Sequence, residues 1–109
     1  MTASSLHLTK IGSGDFLLEP SKSLNIRDQS MHIENVTTRL IQARASRLYY
    51  DLSSLALIDP LYYSWLDALA RAAQSVNVKM ICINMQPTAA FALSKFIHKK
   101  PVFETALNI

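Results

Sequence analysis

The chain has 109 residues, half of them apolar and 17% charged, with a formal net charge of +3, two glycines and no low-complexity run. That length holds one ordinary core, and the composition excludes disordered, collagenous and linker classes. Residues 1–109 are therefore read as a single domain. The basic balance does not imply nucleic acid, because Lys and Arg are scattered except for the pair Lys99 and Lys100, and no basic patch with aromatics beside it is visible.

Residues 5–11, "SLHLTKI", alternate, with Leu6, Leu8 and Ile11 toward one side and His7, Thr9 and Lys10 toward the other. This predicts a half-buried strand. "GSGD" breaks it and "FLLE" begins a second strand, so the two form a hairpin through Gly12 to Gly14. From Asn25 the period becomes helical: Ile33, Val36, Leu40 and Ala43 share a face, with His32, Asn35, Arg39 and Gln42 elsewhere. Asn25, with Asp28 three residues on, is the expected cap.

"RLYYDL" at 47–52 is rich in strand formers and reads as a central strand. In "LYYSWLDALARAAQSV" a stripe of Leu61, Trp65, Leu69, Ala72 and Val76 opposes Ser64, Asp67, Arg71 and Gln74, which predicts a second helix. "VKMICIN" at 78–84 is nearly continuous in apolar residues, as for a strand covered on both faces. "QPTAAFALSKFIHKK" reads as a third helix, opened by Pro87 and followed by Lys99 and Lys100, where cations favour the helix dipole. "VFETALNI" supplies a last strand. The order β-β-α-β-α-β-α-β predicts a small α/β mixed sheet, with parallel βαβ crossovers and helices packed against it.

Asp59 and Pro60 mark the junction between the apolar run "LALI" and the second helix. An Asp side chain caps an orphan helical N–H, and Pro in the next position gives up only an N–H that has no partner. Pro87 opens the third helix in the same way. Parallel strands put both helix starts at one end of the sheet, where functional surfaces of open α/β sheets gather. The candidate partner-binding residues there are Asp59, Pro60, Tyr63, Ser64, Asn84, Gln86 and Thr88. Tyr63 falls on the polar side of its helix and is expected to face solvent, whereas Trp65 belongs to the buried stripe. Ser53 and Ser54 are loop hydroxyls that cap or satisfy backbone groups.

No catalytic set is recognisable. His7, His32 and His98 lack metal-ligand spacing, and Cys82 in "MICI" reads as a buried, reduced thiol, so neither metal nor cofactor is expected. "GSG" is not followed by a helix, so a dinucleotide fingerprint is missing. The start "MTASSLHLTK" has no signal-peptide pattern and no run reaches the length of a membrane span, which points to a cytoplasmic protein without membrane contact.

The segments "YYDLSSLALID" and "KMICINMQPTAAFALS" resemble, in order and spacing, the STAS family, the domain of anti-sigma-factor antagonists. The resemblance covers about residues 15–109, and the ending "FETALNI" is most like the stressosome scaffold type. It implies a STAS-like sheet and a non-catalytic regulatory or scaffold protein. The implied partners are a switch kinase or anti-sigma factor, and other STAS proteins in a homo- or hetero-oligomer. In phosphorylated members the hydroxyl residue after this Asp is the acceptor; here it is Pro60, which has no hydroxyl. Ser64, one turn on, is the substitute acceptor to weigh against a plain surface serine. A further acceptor of sensor-type members aligns near Ala92, which has none either. The alternative function is a STAS accessory subunit of a transporter, or a small-molecule or lipid-binding module.

Overall fold

The computed structural model describes residues 6–21, 24–97 and 99–109; Ser5 of the first predicted strand and His98 lie outside them. The elements run β1 (Leu6–Lys10), β2 (Asp15–Pro20), α1 (Gln29–Gln42), β3 (Arg47–Asp51), α2 (Pro60–Ser75), β4 (Lys79–Ile83), α3 (Pro87–Ser94) and β5 (Glu104–Ala106). This is the order the sequence predicts.

The strands form one sheet in chain order, β1-β2-β3-β4-β5. β1 and β2 are an antiparallel hairpin, closed where the Ile11 N–H donates to the Asp15 carbonyl at 2.9 Å, and the three later pairings are parallel. β3 is central, with Tyr49 opposite Ile81 and Leu17. Since β2 to β5 neighbour one another in sequence order, right-handed crossovers place α1, α2 and α3 on the same face. Their buried residues meet Leu8, Leu18, Leu48, Tyr50, Met80 and Cys82 in one core cluster, from which the buried Tyr49 and Ile83 are absent. Alternation along β3 and β4 sends these two to the opposite face.

Several local expectations are corrected. α1 begins at Gln29, and Asn25 closes a turn instead of capping: its Oδ1 accepts from the Arg27 N–H at 3.0 Å. The turn lets Leu24 and Ile26 pack against the core. His32 is buried where Ala43 is exposed, because the imidazole bonds the Asn25 carbonyl at 3.2 Å and sets its ring edge-on to Trp65, 6.0 Å between centroids. On α2 the buried stripe is Trp65, Leu66, Leu69, Ala70 and Ala73; Leu61 is 44% exposed, and Ala72 and Val76 are only partly buried. Ile11 is 40% exposed, just past the end of β1. α3 stops at Ser94, so Lys99 and Lys100 do not adjoin its C-terminus. Phe96 and Ile97 turn back onto the core instead, and Pro101 disfavours helix in the residue before it.

Candidate protein-interaction site

The β3–α2 connection, residues 52–59, is pinned at both ends by side chains with no exposed surface, Leu52 and Ile58. The Leu52 N–H donates to the Ile83 carbonyl at 2.9 Å, continuing the β3–β4 ladder by one bond. Asp59 has extended backbone (φ −90°, ψ 172°) and its carboxylate accepts from the Tyr62 N–H at 2.7 Å, while Pro60 is the first helical residue. The helix start therefore has the predicted cap.

The β4–α3 connection crosses to this loop and holds it. Asn84, at φ 59°, takes a left-handed conformation that Asn tolerates better than most residues, and its Nδ2 lies 3.3 Å from Asp51 Oδ1. The same Asp51 oxygen accepts from the Ser53 N–H at 2.9 Å. Gln86 Nε2 donates to the Ser53 carbonyl at 2.7 Å, and the Thr88 hydroxyl donates to the Ala56 carbonyl. Two of the predicted site residues, Gln86 and Thr88, thus bond the 52–59 loop directly, and a third, Asn84, bonds Asp51 at its base. Their bonds join residues about 33 positions apart, beyond the reach of local patterns.

Toward α3 the loop presents a largely apolar surface. A surface groove of about 560 Å³ runs between the loop and α3, lined among others by Leu57, Asp59, Pro60, Phe91, Lys95 and Phe96. Leu57 is 62% and Phe91 66% exposed, and the Lys95 ammonium lies 4.7 Å from the centre of the Phe91 ring. Leu57, Phe91, Lys95 and Phe96 were not singled out by sequence. Phe91 had a signal, since it stands two positions from the buried Ala89 and Leu93, on the opposite side of an apolar helix.

Ser64 is exposed on α2. Tyr63 does not simply face solvent: its ring packs edge-on against Phe96 at 5.6 Å and Phe103 at 6.0 Å. Burial, and secondarily the Asp67 carboxylate, raise its phenol pKa.

Beneath the site lies a buried polar chain. The Trp65 indole N–H donates to the Tyr50 hydroxyl at 2.9 Å, and that hydroxyl is 2.6 Å from the Tyr62 hydroxyl. Burial pushes the Tyr62 pKa up to about 12 and raises that of Tyr50 well above its usual value. Burial likewise raises the Cys82 thiol, which keeps it protonated and unreactive. Both phenols and the thiol stay neutral at physiological pH and act as packing groups.

No family model and no curated protein sequence matches the chain. Solved structures do. A serine-to-glutamate variant of Moorella thermoacetica RsbS matches with a TM-score of 0.76 at 18% identity, over 97% of this chain and 89% of that one. The fold is that of the STAS domain. A STAS structure described under the molecular architecture of the stressosome, a signal integration and transduction hub, matches at 0.76 and 17% identity, over 94% of this chain and 89% of that one. The anti-sigma factor antagonist SpoIIAA, in its unphosphorylated form, matches at 0.65 and 13% identity, over 95% and 89%. The mixed five-stranded STAS sheet and its three helices thus agree with the expectation from sequence.

Proposed function

We propose that the chain is a non-catalytic STAS regulatory or scaffold protein of the cytoplasm, which recognises partner proteins through the surface around the start of α2. The proposed partners are a switch kinase of the anti-sigma class and other STAS-domain proteins. The observation that carries this reading is the pairing of an intact helix start with a missing acceptor. Asp59 caps α2, Gln86 and Thr88 bond the loop before it while Asn84 bonds Asp51 at its base, and the position that the resemblance assigns to the phosphate acceptor holds Pro60. Around Pro60 the exposed Leu57 and Phe91 offer apolar area of the kind that anchors protein contacts. With this geometry the protein acts as a scaffold, or as an antagonist held permanently in the unphosphorylated form.

Incubation with such a kinase and ATP, followed by phosphosite mapping, tests the reading. Binding without phosphate on residues 59–63 supports it. Stoichiometric phosphate on Ser64 would mean that the switch has moved by one turn.

The transporter-accessory or small-molecule reading draws on the same groove. Its apolar lining, with only Asp59, Thr88 and Lys95 to orient a ligand, is compatible with a lipid-like guest, but the groove is a wide surface channel and not an enclosed cavity. A ligand retained in native mass spectrometry would favour that reading.

A further inference from the structure

The groove of about 560 Å³ between the 52–59 loop and α3 has an apolar wall on each side, Leu57 from the loop and Phe91 from the helix, both exposed, over the buried Ile58 and the partly buried Phe96. Its two charged residues are not equivalent. Asp59 spends its Oδ1 on the Tyr62 N–H and stands at the N-terminus of α2, where the helix dipole already balances a carboxylate. Lys95 has no such balance: among the described residues the ion pairs engage Arg47, Arg71 and Lys79. Its ammonium lies 4.7 Å from the centre of the Phe91 ring, one turn back along α3, so it reaches along the groove wall and away from the last carbonyls of the helix. The carbonyls of Ala92 and Leu93 accept instead from the N–H groups of Lys95, Phe96 and Ile97. The groove thus has apolar walls and one uncompensated cation.

We propose that this groove takes an amphipathic helix of a partner protein, which seats apolar side chains between Leu57 and Phe91 and brings an Asp or Glu carboxylate to Lys95. The proposal rests on the reading that this surface contacts a partner, and adds the chemistry that the partner must present. A helix suits the site better than an extended strand, since the Ser53 and Ala56 carbonyls of the loop already accept from Gln86 and Thr88, and the facing backbone is helical. With its own backbone bonds closed, a helix needs only side-chain contacts from the groove. The concave shape also favours inserted side chains over a flat lipid surface. Apolar walls exclude water from the Lys95 contact, which strengthens a charge pair there relative to one on open surface. A basic or wholly apolar helix would leave the ammonium desolvated without a partner, so Lys95 selects for an acid.

Selection of a displayed library of random peptides, about four helical turns long, on the full chain tests it. The enriched sequences should carry apolar residues at helical spacing with Asp or Glu beside them, and selection on Lys95→Glu should replace that acid with Lys or Arg. By fluorescence anisotropy, a peptide enriched on the wild type should bind Lys95→Glu about tenfold more weakly, the difference shrinking as salt is added. Lys95→Gln, which removes the charge without reversing it, should weaken binding severalfold, and it decides the matter if Lys95→Glu does not fold. Phe91→Ala should weaken the same peptide. The proposal is overturned by enriched peptides that lack an acid, that alternate as strands do, or that bind Lys95→Glu or Phe91→Ala as well as the wild type. It is overturned equally if nothing is enriched, and binding of the chain to phosphatidylserine vesicles would then mark the surface as a lipid contact. The partner reading is judged separately, by whether a switch kinase of the anti-sigma class binds the chain, and it survives peptides that lack an acid.

Discussion

Gln86 and Ser53 are joined by a 2.7 Å hydrogen bond that ties the start of α3 to the loop leading into α2. With Thr88 bonded to Ala56, it fixes a segment that lacks secondary structure between two buried anchors. Replacing both donors, as in Gln86→Ala with Thr88→Val, should cost about 1–2 kcal/mol in total, the net worth of two partly exposed bonds. Amide hydrogen exchange should speed up across residues 52–59 and not in β3, because the loop opens locally while the core holds. Unchanged exchange in that loop would remove its proposed role in shaping the site.

Pro60→Ser supplies the missing hydroxyl without disturbing the cap, since Asp59 still accepts from the Tyr62 N–H. The loss of proline rigidity should lower stability by roughly 0.4–1 kcal/mol, read from chemical denaturation. Under a switch kinase that binds the wild type, the variant should gain phosphate at residue 60. Asp59→Ala, by contrast, should cost about 1 kcal/mol through the lost cap.

Alkaline stability should report the buried hydroxyls. Tyr62 titrates near 12 when folded against about 10 when unfolded, so between those values the folded state holds more protons. Stability is thus fully present below pH 10 and falls as pH rises toward 12. The raised pKa values of Tyr50 and Cys82 act in the same direction. Urea denaturation at several pH values should show this slope, reduced in Tyr62→Phe. Tyr50→Phe should be the costlier substitution at neutral pH, roughly 1–3 kcal/mol, because it strands the buried Trp65 N–H.

Much of this architecture is written in short-range patterns. Alternation in "SLHLTKI", the breaker "GSGD" and the two prolines at strand–helix junctions predict every element in order, because each is decided by neighbours a few residues away. The α2 stripe differs from the expected one around Leu61, since the first turn of that helix directs Tyr62 and Tyr63 to the core and leaves Leu61 outside it. α3 was overextended because Phe96 and Ile97 continue an apolar pattern while folding back as a turn. His32 and Tyr63 found buried partners, Trp65 in one case and Phe96 with Phe103 in the other, that no local spacing reveals. The site itself was half legible: the capped helix start was, but the outward groove requires knowing that α3 lies beside the 52–59 loop.

The edge-on packing of Tyr63 makes it a poor probe of the interaction surface. Tyr63→Glu should lose about 1–3 kcal/mol, since each aromatic pair contributes some 0.5–1.5 kcal/mol beyond buried area. A loss of binding in that variant would confound folding with contact. Phe91, 66% exposed, carries no such burden.

The central claim is that the apolar surface beside Pro60 is where a switch kinase of the anti-sigma class binds. Calorimetric titration of such a kinase with wild type and with Phe91→Glu tests it most directly. The variant should keep its stability within about 0.5 kcal/mol, as surface substitutions do, yet bind at least about tenfold more weakly, because an unpaired carboxylate would be desolvated in the contact. Equal affinity for the two proteins, or no binding by the wild type, would contradict the account.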